Sequence, residues 1–103
     1  MATIKIRANE SGGSTTVKCL MSHPMEPGTR KDSKTGKLIP AHHITEVNAE
    51  HNGTVVMTAN WGGGVSKNPY LSFKFSGASA GDTIKISWVD NMGKGDSAEA
   101  QIK

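Results

Sequence analysis

Residues 70–89 read YLSFKFSGASAGDTIKISWV, and this segment decides the fold. From Tyr70 to Ser76 the residues alternate. Leu71, Phe73 and Phe75 point one way, and Tyr70, Ser72 and Lys74 the other. From Asp82 to Val89 the pattern repeats, with Ile84, Ile86 and Trp88 on a single face. Successive side chains of a strand point to opposite faces, so each run reads as a half-buried β-strand. Gly77 to Gly81 turns the chain between them.

Downstream, Asp90–Gly95 (DNMGKG) is a turn, and Ala98, Ala100 and Ile102 mark a short last strand. Upstream, Asn60–Pro69 (NWGGGVSKNP) is an irregular loop in which three glycines permit unusual backbone shapes, and Trp61 beside them is expected to be exposed. Thr54–Ala59 is a strand with Val55, Met57 and Ala59 on one face. The hairpin signal Asn52-Gly53 joins it to an extended stretch, Leu38–Glu50, in which Pro40 marks a start or a bulge. Near the N-terminus, Thr3–Arg7 and Thr15–Met21 are strands separated by the turn Glu10–Ser14. Val17, Cys19 and Met21 share an apolar face, so Cys19 is expected to be a small core residue. Seven strands spaced roughly ten residues apart indicate an all-β fold, an antiparallel β-sandwich forming a single domain over residues 1–103.

Composition narrows the class. The chain has 103 residues, a length that builds one domain with its own core. Only 5% of residues are aromatic, so the core must come mainly from aliphatic and β-branched side chains. One cysteine cannot make an internal disulfide. The N-terminus, MATIKIRANESGG, has no apolar run of the signal-peptide kind, which by itself suggests a cytoplasmic protein or one exported with a partner. The net charge is +3, and Arg30, Lys31, Lys34 and Lys37 cluster within eight residues. Such a cluster is either a solvated loop or a docking patch for an acidic partner. It holds no aromatic residue for stacking on bases, which disfavours nucleic acid.

The stretch Cys19–Asp32, CLMSHPMEPGTRKD, gathers the residue types of a chemical site. Cys19, His23 and Met25 are the ligand types of a blue-copper centre, and a small copper-binding electron carrier is one alternative function. Their order and spacing fit that centre poorly, and Pro24 stiffens the loop between two of them. His42 and His43 are adjacent on an extended segment, so their rings diverge, one expected exposed and the other half-buried. His51 flanks the Asn52-Gly53 hairpin. Asp90 and Asp96 lie in turns with no sign of pairing with His23. An inward Cys19 exposes no thiolate, so a Cys–His nucleophile is not supported. The residues read as a non-enzymatic binding domain with no cofactor or metal, and an unrelated ligand-binding β-sandwich is the other alternative.

Four blocks carry a resemblance: MSHPMEPGTRKDSKTGKLIPAHHIT, EHNGTVVMTANW, VSKNPYLSFKFSG and GDTIKISWVDNMG. Together they resemble the SoxZ family, the smaller subunit of the SoxYZ sulfur carrier of bacterial thiosulfate oxidation. The resemblance implies an immunoglobulin-like sandwich in a periplasmic heterodimer. Its partner, a SoxY-like chain, bears covalent sulfur on a cysteine in a glycine-rich C-terminal arm and carries the export signal for both. This sequence ends AEAQIK, so Cys19 is not expected to take the carrier role. On this reading His23, Pro24, Met25, Trp61, Pro69 and Tyr70 contribute to partner contacts. Arg30, Lys31 and Lys34 steer transient docking to other thiosulfate-oxidation enzymes.

Overall fold

A computed structural model describes residues 3–103; Met1 and Ala2 of the expected 1–103 domain lie outside the described residues. The strands are β1 (Ile4–Ser11), β2 (Ser14–Met21), β3 (Ile44–His51), β4 (Thr54–Asn60), β5 (Tyr70–Ser76), β6 (Thr83–Asp90) and β7 (Gly95–Gln101). They form a three-stranded sheet, β1-β2-β5, and a four-stranded sheet, β4-β3-β6-β7. Every ladder is antiparallel. The two sheets stack as an immunoglobulin-like sandwich.

The hairpins follow from local chemistry. Asn52 and Gly53 both take positive φ, 50° and 89°, the geometry whose twist matches two antiparallel strands. Gly12 and Gly13 do the same between β1 and β2, at 60° and 86°. The core follows from alternation. Val17, Cys19 and Met21 of β2 meet Val47 and Ala49 of β3 and Ile84, Ile86 and Trp88 of β6, all buried. Leu71, Phe73 and Phe75 face the same core but stay half-buried.

Two expectations change. The extended stretch Leu38–Glu50 becomes a strand only at Ile44. Pro40 has no N–H for a ladder, and residues 30–39 fold back on themselves. Ile39 N–H donates to the Arg30 carbonyl and Asp32 N–H to that of Lys37. Only the isolated bridges Lys31–Leu38 and Glu26–His42 pair this region, and Leu38 is exposed. In β4 the register slips where Ala49 pairs Met57 but Glu50 pairs Val55. This bulge moves Val55 into solvent and lets Val56 join Met57 and Ala59 on the core.

The sandwich is closed along one side. Along the closed side β1 packs on β7 and β6. There Lys103 N–H donates to the Ala8 carbonyl and Glu10 N–H to the Lys103 carbonyl. The sheet orders leave the edge strands β5 and β4 at the opposite side.

Candidate functional site

The sequence departs from strand geometry after Met21 and is tied down residue by residue. Ser22 N–H donates to the Thr3 carbonyl, and Met21 N–H to that of Pro69. His23 N–H donates to Asn68 Oδ1, and Asn68 N–H returns to the His23 carbonyl. Met25 takes a positive φ of 49°, which turns its side chain inward, and its Sδ accepts the Ile44 N–H at 3.3 Å. Pairing of Glu26 with His42 then closes the loop onto the start of β3.

At the bottom of this loop lies Asp90, the last residue of β6, its side chain buried. Its Oδ1 accepts the N–H groups of Met92 and Lys94, which shapes the turn into β7. Its Oδ2 faces His23 Nε2 at 3.1 Å and His42 Nε2 at 2.9 Å. Burial works against a charged carboxylate here. The contacts from His23, Lys94, His42 and Met92 outweigh it and hold the Asp90 pKa down at about 2. The His23 ring stands edge-on to His42, with centroids 4.7 Å apart, and to Trp88, at 5.0 Å.

His23, His42 and Asp90 bring metal-ligand atom types within 4.8 Å of one another. The hydrogen bonds around His23 favour a proton over a metal ion on its Nε2. A histidine bound through Nε2 normally donates its other N–H to an acceptor. Here His23 Nδ1 receives the Met25 N–H at 3.1 Å, so Nδ1 holds a lone pair and Nε2 carries the proton. That proton points at the Asp90 carboxylate. The trio is a hydrogen-bonded brace that pins the loop to the sandwich. Cys19 is not among its members, and the Met25 sulfur is engaged by a backbone N–H, so the residues of the copper reading are not assembled.

Asp90 does pair with His23, against the sequence expectation, and His42 joins them. His42 and His43 are both half-buried. The missed signal is topological: β3 and β6 pair with Ile44 opposite Asp90, which brings the start of one strand to the end of the other. His51, the hairpin-flanking residue, meets Asp82 at 2.7 Å.

The proposed contact residues divide. His23, Met25 and Pro69 are buried. Trp61 is half-buried against the core, with its N–H on the Thr45 carbonyl, because the loop folds it back. Pro24 and Arg30 line an open groove of about 620 Å³ together with Pro27, Gly63 and Val65. Gly63 fits there because a Cβ would stand 2.9 Å from Pro27 Cα. Arg30 reaches back to Glu26 at 2.7 Å. Lys31 and Lys34 are exposed, and Tyr70 stands apart on the outer face of β5. Cys19 is 1% exposed, and burial, partly offset by a backbone contact from Leu71, raises its thiol pKa to about 11.

Solved structures share this fold. A hypothetical protein, PH1083, from Pyrococcus horikoshii OT3 superposes with a TM-score of 0.70 at 16% identity, covering 98% of this chain and 88% of that one. A superoxide reductase (neelaredoxin) from Ignicoccus hospitalis gives 0.65 at 15% identity, covering 98% and 79%. The superoxide reductase from Archaeoglobus fulgidus in the reduced form gives 0.63 at 18%, covering 97% and 86%. At these identities the likeness is one of fold. No curated protein matches by sequence. Residues 4–101 match the family described as sulphur oxidation protein SoxZ. That match spans nearly the whole chain, and the protein belongs to the SoxZ family of sulfur-oxidation proteins.

Proposed function

We propose that this protein is the non-catalytic subunit of a periplasmic sulfur-carrier heterodimer. It binds and supports a SoxY-like chain whose arm cysteine holds the covalent sulfur of thiosulfate oxidation. The observation that carries this reading is the burial of Cys19. A sulfur carrier needs a thiolate that solvent and enzymes can reach. The one cysteine of this sequence is sealed in the core and held protonated at neutral pH. Within a family of sulfur-oxidation proteins, the working thiol then comes from another chain.

The β4–β5 side of the sandwich offers apolar surface to a second chain. Val56, Met57 and Ala59 from β4 and Leu71, Phe73 and Phe75 from β5 are half-buried, as is Trp61 in the loop between these strands. Stable subunit interfaces are built from such apolar surface. Pro24 and Trp61 keep their proposed contact roles, with Lys31 and Lys34 as steering charges. His23, Met25 and Pro69 serve from inside by holding the loop in shape.

The test is co-purification with a SoxY-like chain, comparing the parent with Trp61→Ala and with Pro24→Asp at an exposed position. Each variant is expected to weaken the complex by roughly tenfold or more, with its circular dichroism unchanged. Binding equal to the parent in both folded variants contradicts the interface. A monomer that ignores any SoxY-like chain contradicts the function.

A further inference from the structure

The two outer faces of the sandwich differ in charge. On the four-stranded sheet, Glu50 pairs Lys85 and Lys85 pairs Glu99 across neighbouring strands. Opposite charges sit in register there, the arrangement that stabilises a sheet. The three-stranded sheet is built differently. Its outward positions include Lys5 and Arg7 on β1, Lys18 on β2 and Lys74 on β5, all exposed. None of its outward positions in the three strands is acidic. Arg7 is placed directly opposite Lys18. The strand spacing and rise put each of the four cations within roughly 5–8 Å of another, about one Debye length.

Like charges facing across a ladder are unfavourable. Among the described residues, none of these four enters an ion pair. The basic loop is different, since its Arg30 is held by Glu26. Beside the cations runs an apolar row. Lys5 pairs Leu20, and Leu20 pairs Tyr70. Leu20 is 41% exposed and Tyr70 59%. Lys5, Arg7, Lys18, Leu20 and Tyr70 line one shallow depression. Arg7 and Tyr70 are residue types enriched at protein interfaces, and the surrounding lysines supply an unneutralised field that steers an acidic partner.

We propose that the outer face of β1-β2-β5 docks an acidic polypeptide surface. Lys5, Arg7, Lys18 and Lys74 meet its carboxylates, while Leu20 and Tyr70 supply the apolar contact. The single aromatic residue on the face favours a polypeptide over single-stranded nucleic acid, which binds through successive stacking platforms. This deepens the proposed function by giving a transient partner its surface. It stands on the charge pattern rather than on the subunit pairing.

The experiment is an NMR titration of the full chain with a glutamate-rich peptide. An oligothymidylate of equal charge and phosphatidylglycerol vesicles are run in parallel. Expected are shifts confined to outward residues of β1, β2 and β5, with affinity falling about tenfold between about 50 and about 300 mM salt. Lys5→Glu/Arg7→Glu/Lys18→Glu/Lys74→Glu abolishes the shifts. Arg30→Glu/Lys31→Glu/Lys34→Glu leaves them in place. The single change Lys18→Glu guards against misfolding of the fourfold variant. It weakens peptide binding while raising the melting temperature by about 2 °C, because the like pair with Arg7 is gone. Shifts centred on the 30–37 loop, no saturable binding, or tighter binding to the oligonucleotide or vesicles would overturn the proposal. Because the probe is a peptide, this result is independent of whether a SoxY-like chain co-purifies.

Discussion

Asp90 is the residue on which the loop depends. One carboxylate serves the backbone of its own turn through Oδ1 and two histidines through Oδ2. Asp90→Asn keeps the size but turns an NH₂ toward groups that are themselves donors. Stability is expected to fall by about 3 kcal/mol, read by chemical denaturation at neutral pH. The pH dependence has a definite sign. A carboxyl group held at about 2 when folded and near its ordinary value when unfolded contributes stability above pH ~4. That stability is lost as pH falls from ~4 toward ~2, and the Asp90→Asn variant loses less over that window. The inward placement of Cys19 and Ile86 was legible in the sequence, because a period of two survives any arrangement of the strands. The pairing of His23 and His42 with Asp90 was not. The two histidines are 67 and 48 positions from Asp90, and only the order of strands in the sheet brings them together.

At the scale of elements, six strands begin and end within a few residues of where alternation and turn chemistry put them. The exceptions have physical causes. In β4 one bulge swaps Val55 for Val56, and a bulge is set by how two strands pair rather than by the pattern of one. In 38–43 an extended-looking segment is captured by loop bridges before it reaches a sheet. The Ser22–His43 loop is therefore a folded element, pinned by the Asp90 brace below and by Gly63 against Pro27 alongside. Gly63→Ala forces a Cβ into Pro27. Amide hydrogen exchange should quicken at Glu26 and His42, whose N–H groups hold the loop shut, while the Val17 and Ile86 amides keep their protection. Unchanged exchange at Glu26 would mean that the glycine loop does not support this element.

For the whole molecule, the sandwich offers three kinds of surface: a closed side, a partly apolar β4–β5 side and a basic outer face. None of them exposes the thiol. Family membership covers nearly the full chain and agrees with the strand pattern, whereas the proposed division of labour with a second chain turns on where the reachable cysteine lies. The most direct measurement is intact-protein mass spectrometry of both chains of the complex, isolated while thiosulfate is being oxidised. This chain is expected at its unmodified mass, with sulfur adducts on the cysteine of its SoxY-like partner. A sulfur adduct mapped to Cys19 would contradict it.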